Sequence, residues 1–207
     1  MWYIALVPVA LVLCDYLKAP IDRLYFQKPS RLLLGMRNTL VDIMMYRYNY
    51  YVEDFAGLWL IKANYRNIVR EFKEVDAPRH YFHDLSPWFE HNEKYYYHKV
   101  KDYPYLREII KMIPSVDSES AMFAVIEGPM KIHPHRAESN IQLRYHLTIE
   151  GDDSCVLKTE SGDHTHLPGE EFIFDHARYH ELVKTSEQRR VVLILDIHRF
   201  YILQAPQ

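Results

Sequence analysis

Apolar positions recur along this chain with two different periods, and the change of period divides it. Between residues 30 and 75, Leu32, Leu33, Leu34, Met36, Leu40, Ile43 and Met44 return at roughly helical spacing. A second helix is expected from about Val52 to Phe72, weakened by Gly57. Residues 78–105 lose this order. They are dense in aromatic residues, His and Pro, and read as irregular structure with one strand; a short helix follows over 105–112 and ends near Pro114. From Ala121 onward, short β-rich runs cover 121–127, 131–135, 142–150, 155–159, 171–174, 179–183 and 190–198. Breaks fall at Gly128-Pro129, Gly151-Asp152, Ser161-Gly162 and Pro168-Gly169. Strands at that spacing predict a β-sandwich or a barrel-like roll. The chain thus reads as helices first and a mainly β core after. Three parts follow: an apolar segment over 1–20, a helical and aromatic-rich cover over 21–120, and the β core over 121–207.

The N-terminal segment is ambiguous. Trp2 to Cys14 carries no charge, yet it is shorter than the ~20 apolar residues of a membrane span and within the ~7–15 of a signal-peptide core. No basic stretch precedes it, no A-x-A pattern follows, and Leu13 before Cys14 makes a poor lipoprotein site. A membrane anchor or interfacial segment, a helix packed on the domain, and a cleaved signal are the three readings. The first is the expectation, with membrane association through residues 2–14. Lys18 and Arg23 then place the rest at the cytoplasmic face of a membrane, or in the cytoplasm.

Composition narrows the functional classes. Of 207 residues, 48% are hydrophobic and 26% charged, with a net charge of −3, so a packed core is expected and no nucleic-acid partner. Cys14 and Cys155 read as unpaired thiols in a reducing compartment. Twelve His is the odd count, and it prompts a search for a histidine-based site.

Strand parity supplies candidates. On 142–150, Arg144, His146 and Thr148 share one face, and Leu143, Tyr145, Leu147 and Ile149 the other. The apolar face suits packing beneath helices, which turns the Arg-x-His face into the roll. On the last strand Arg190 shares a face with Val192 and Ile194. A guanidinium there is poor core design unless it meets an anion. Imidazoles from separate strands suit a divalent metal such as iron, and arginine grips carboxylate. A small dicarboxylate chelating the metal at one end and meeting Arg at the other would use all of them.

The stretches P-M-K-I-H-P-H-R-A-E-S-N-I-Q-L-R-Y-H-L-T-I, F-I-F-D-H-A-R-Y-H-E and R-V-V-L-I-L-D resemble the aspartyl/asparaginyl β-hydroxylase family of iron(II)- and 2-oxoglutarate-dependent dioxygenases. The specific spacings are His before R-x-H, F-D-x4-H-E, Arg ten residues after that His, and Asp six later. The likeness spans about Ala121 to Phe200. Upstream, I-P-S-V and A-M-F-A, together with R-Y-H-L, resemble the bacterial lipid A acyl-chain hydroxylase branch. The resemblance implies a double-stranded β-helix (jelly roll, cupin-like) core. It implies Fe(II) on His135 and His180, 2-oxoglutarate held near the metal by Arg144 and His146, and its far carboxylate on Arg190. The implied reaction is hydroxylation of an unactivated C–H, on an Asp/Asn-type protein side chain or a lipid acyl chain. The alternative is a catalytically inactive binding module that keeps the dicarboxylate and metal pocket.

Two departures qualify this. Ala137 stands where most such oxygenases carry the third, carboxylate ligand, so a two-His site with water in third place is expected. Ala124 replaces a Ser that serves the distal carboxylate in a protein-hydroxylating relative. Elsewhere the plainer readings hold. His133 shares the strand face of His135 as a wall residue. His164 and His166 lie in a solvated turn. Asp175 and Asp196 are structural hydrogen-bond anchors, Arg189 is a surface charge, His176 and His198 have no assigned partner, and Tyr95–Tyr97 form a half-buried strand.

Overall fold

The computed structural model describes residues 3–18, 25–85 and 91–202; Trp2, Arg23, Trp88 and Phe89 lie outside them. Helices α1 (Tyr3–Lys18), α2 (Pro29–Met45), α3 (Trp59–Ala63) and α4 (Tyr65–Glu74) come first. Strand β1 (His80–Tyr81), helix α5 (Phe82–Leu85), strand β2 (Tyr95–Lys99) and helix α6 (Pro104–Lys111) follow. The remainder is eight strands: β3 (Val116–Ile126), β4 (Met130–His135), β5 (Gln142–Glu150), β6 (Cys155–Thr159), β7 (Gly162–Thr165), β8 (Glu171–Phe174), β9 (His180–Lys184) and β10 (Arg190–His198).

These strands form two antiparallel sheets, β1-β2-β3-β10-β5-β8 and β4-β9-β6-β7. Apart from the β6–β7 hairpin, the last eight alternate between sheets as the chain winds, the topology of a double-stranded β-helix, or jelly roll, of the cupin-like kind. Alternation along each strand builds a core on both faces of the larger sheet. Its outer face, with Phe123, Val125, Leu143, Tyr145, Leu147, Leu193 and Leu195, packs with Ile61, Ile68, Phe72, Leu106 and Ile110 of the helices. Its inner face meets the smaller sheet through Ile126, Cys155, Leu157, Phe174 and Leu182. The Arg144, His146 and Thr148 parity expected for β5 is the observed one.

Four local expectations change. The stretch 52–72 is broken into a 3₁₀ turn, α3 and α4, because Gly57 takes φ +80, a left-handed backbone that ends a helix. Residues 78–105 hold two strands rather than one. Strand β3 begins at Val116, since Val116 and Asp117 still pair with β10 ahead of a register shift. Gly162–Thr165 is strand, not break: β7 is an edge pairing only with β6, so it carries no apolar signature.

The N-terminal helix docks by polar contacts at its second half. Asp15 is buried and accepts from Tyr25 Oη at 2.8 Å and Asn38 Nδ2 at 3.3 Å, with Arg31 at 3.5 Å and Arg136 at 3.4 Å. Lys18 pairs with Asp42 of α2. Leu6, Val7 and Val9 are exposed. Among the described residues no helix is long and apolar enough to cross a membrane.

Candidate active site

His135 ends β4 and His180 opens β9, and the two are register partners with ring centroids 4.3 Å apart. Each ring is oriented by its own strand. His135 Nδ1 donates to the His133 carbonyl at 2.9 Å, and His180 Nδ1 to that of Arg178 at 3.0 Å. A carbonyl accepts only, so both Nδ1 atoms carry the proton and both Nε2 atoms carry the lone pair, the arrangement of metal-binding imidazoles. Burial lowers the pKa of His135 and drives that of His180 well down, keeping both neutral. A register shift between Ile132 and His135 turns His133 out to solvent, so it does not share the His135 face as parity suggested.

The other predicted residues line the inner face of the two adjacent strands β5 and β10. Arg144 lies opposite Asp196, His146 opposite Ile194 and Thr148 opposite Val192, with Arg190 beyond. Arg144 is half-buried and forked onto Asp196, Nε to Oδ1 at 2.8 Å and Nη2 to Oδ2 at 3.2 Å. Much of its charge is thereby answered within the chain. His146 is buried with no hydrogen-bond partner at either ring nitrogen among the described residues. Desolvation, then the charge of Arg190, drives its pKa well down; His166, Arg144 and His180 act on it in the same sense. His146 thus lies close enough to Arg190, Arg144 and His180 to feel their charges, on the inner face of the roll. The ring of Phe174 bridges the two histidines, 5.3 Å from His180 and 5.2 Å from His146.

Arg190 is 2% exposed and forms no ion pair with the described residues. Its Nη2 donates to His166 Nε2 at 2.8 Å, and its Nε has no partner. Thr148 Oγ1 nearby on the same face is also buried without one. Orphaned polar atoms clustered like this mark a place for a ligand. Half-buried Tyr95 adds a phenol whose pKa is pushed up to about 12 by desolvation against the pull of Arg190 and Arg144.

His166 corrects the sequence reading. It is fully buried, not solvated, because the chain leaving β7 turns under the roll. Its signal was faint: two-residue spacing from His164 places both on one face only if that polar stretch is strand. His164 itself is half-buried against Phe172, rings stacked at 4.2 Å. His176, without an assigned partner in the sequence, is buried 3.7 Å from Asp196 Oδ1, and its carbonyl accepts from Ala137 N at 2.9 Å. Asp175 accepts from Arg199 at 2.5 Å, and exposed Arg189 forks onto Glu150. No group of three or more His, Cys, Asp or Glu able to hold a metal ion occurs among the described residues.

The fold defines a double-stranded β-helix protein, with a histidine pair across β4 and β9 and a buried arginine on β10. Residues 62–200 match the model of the aspartyl/asparaginyl beta-hydroxylase family, and the chain belongs to that family. A comparison with curated proteins finds no match. Among solved structures, a predicted oxalate decarboxylase from Thermotoga maritima is similar, with 10% identity and a TM-score of 0.41 over 61% of this chain and 95% of its own. A cupin-superfamily sugar phosphate isomerase from Silicibacter pomeroyi has 13% identity and a TM-score of 0.40 over 59% of this chain and 72% of its own.

Proposed function

We propose that this hydroxylase-family protein is an iron(II)- and 2-oxoglutarate-dependent dioxygenase. Its substrate is an unactivated C–H bond of a protein side chain or a lipid acyl chain. The observation that carries the reading is Arg190: a buried guanidinium without a counter-ion among the described residues, linked through His146 and Phe174 to His180 of the neutral histidine pair. A buried charge of that kind is costly unless a ligand supplies the opposite charge.

The donor set suits the metal. His135 and His180 offer two imidazole nitrogens, and imidazole is a normal ligand for iron. With Ala137 in the carboxylate position, the protein leaves the remaining places to solvent and cosubstrate. When bound, iron with 2-oxoglutarate supplies the oxidation: dioxygen gives one atom to the C–H and one to succinate, with loss of carbon dioxide.

The chain's own residues bind, orient and exclude water. Arg190 meets the far carboxylate, worth more in this dry setting than on a surface. His146, with two unanswered ring nitrogens, can donate one hydrogen bond and accept one at the middle of the ligand. Arg144, held in plane by Asp196, presents its remaining N–H groups towards the near carboxylate. Phe172, Phe174 and Leu182 wall the interior against bulk solvent.

Anaerobic titration of the full chain with Fe(II) and 2-oxoglutarate, followed by admission of oxygen, tests this. Succinate release is expected even without prime substrate, and His180→Ala should reduce it to background. Dicarboxylate binding with no iron- and His180-dependent succinate would instead identify an inactive binding module.

A further inference from the structure

We propose that His166 is a positioning residue of the cosubstrate pocket: a neutral acceptor that aims Arg190 without cancelling its charge, and so sets the preference for a dicarboxylate. This rests on the oxidative reading above. The hydrogen-bond pattern decides how His166 is protonated. Its Nδ1 lies 3.1 Å from the Cys155 carbonyl, which can only accept, so Nδ1 carries the proton. Its Nε2 is then the acceptor for Arg190 Nη2 at 2.8 Å. Burial and the adjacent guanidinium lower its pKa to about 2, so the ring stays uncharged.

The backbone around His166 is held as well. Gly151 follows β5 where the His166 carbonyl passes, and a Cβ at Gly151 would lie 2.3 Å from that oxygen. The absent side chain permits this approach, and Nδ1 is tied to β6. The acceptor of Arg190 therefore sits on a pinned segment rather than on a free loop.

Comparison with the other buried and half-buried guanidiniums shows what is unusual. Arg31 and Arg136 face Asp15, Arg144 faces Asp196, and Arg199 faces Asp175. Arg190 meets an imidazole. A carboxylate at that place would neutralise Arg190 and repel an incoming anion. A neutral nitrogen orients one N–H and leaves the positive charge for the ligand, with Nε still unanswered. Two-ended recognition then falls to Arg190, and a ligand lacking the far carboxylate gains nothing from it.

The test uses the full chain loaded with Mn(II) under anaerobic conditions. Binding of 2-oxoglutarate and of the monocarboxylate 2-oxobutyrate is measured by calorimetry for wild type, His166→Ala and His166→Gln. His166→Ala should weaken 2-oxoglutarate by about tenfold or more, an order-of-magnitude loss for one hydrogen bond to a charged group. It should leave 2-oxobutyrate and Mn(II) binding unchanged. His166→Gln, whose Oε1 can accept from Arg190, should recover most of the difference. Equal weakening of both ligands, or none, overturns the proposal. Should His166→Ala fail to fold, nitrogen NMR of the wild type decides: unprotonated Nε2 that shifts in Arg190→Met supports it, and protonated Nε2 overturns it. A wild type without preference for 2-oxoglutarate overturns the cosubstrate reading as well, whereas preference kept in His166→Ala overturns the role of His166 alone.

Discussion

A guanidinium at Arg190 opens β10 just ahead of its apolar run, and its hydrogen-bonding neighbour is an uncharged ring. Desolvation lowers its pKa, the physical sign that the fold pays to keep it inside. Replacement by an apolar chain of similar length removes that cost together with the ligand's anchor. Arg190→Met is therefore expected to keep or raise the melting temperature of the ligand-free protein. Its affinity for 2-oxoglutarate should fall by at least two orders of magnitude, about 3 kcal/mol or more for a lost charge-assisted bond in a dry site. Thermal unfolding and calorimetry on one sample check both. A variant that loses stability by several kcal/mol while still binding would show that Arg190 serves the core instead. The oddity of Arg190 was legible in the sequence, because a charge at an inward position of an apolar strand breaks the pattern. The neutrality of its partner was not, because His166 and Arg190 are 24 residues apart and meet only by folding.

Helices α1 and α2 show element packing overriding local propensity. Gly35 lies inside α2, where Ala would ordinarily stabilise by about 1 kcal/mol. Here a Cβ would stand 1.9 Å from Tyr25 Oη and 3.2 Å from Asp15 Oδ2. The missing side chain lets the Tyr25 hydroxyl reach Asp15 at 2.8 Å, and Asp15 in turn meets Arg31 and Arg136. Gly35→Ala is expected to destabilise by about 1–3 kcal/mol, the usual cost of overpacking, and urea denaturation measures it. A stabilised variant would mean that this junction yields freely. The same junction reaches the site: Arg136 directly follows His135, and the Glu138 carbonyl accepts from Arg31 at 3.1 Å and Asn38 at 2.8 Å. Periodicity in 30–45 predicted the helix but not this contact, because apolar spacing records burial and says nothing of a small residue admitting a phenol.

Across the whole molecule, four buried histidines make stability depend on acidity. His146, His176 and His180 are held well below the ordinary histidine pKa by desolvation, and His166 falls to about 2. The unfolded chain takes up protons near pH 6.5, while the folded rings refuse them. Their folded pKa values are depressed, so the stability they confer is full above about pH 7 and lost as pH falls below about 6.5. Each contributes at most about 1.4 kcal/mol per pH unit. Urea midpoints of the metal-free protein should be level from pH 7.5 to 7 and drop between pH 6.5 and 5.5. An unchanged midpoint over that lower range would mean that these rings are solvated or already charged.

What the sequence determined by itself follows from strict periods. The two-residue alternation of β5 and β10 assigned inward and outward faces, since a strand exposes opposite sides in turn whatever surrounds it. The family came into view separately, through the resemblance of the motifs in 121–200 to those of its members. The tertiary structure decided what no local period encodes. Polar edge β7 pairs, the 52–72 stretch breaks at Gly57, and β1 and β2 extend the larger sheet. Asp196 is committed to Arg144, and the chain that reads as a solvated turn brings His166 beneath Arg190. Burial and charge pairing are sums over distant segments, so only the closed roll determines which groups are answered and which are left for a ligand.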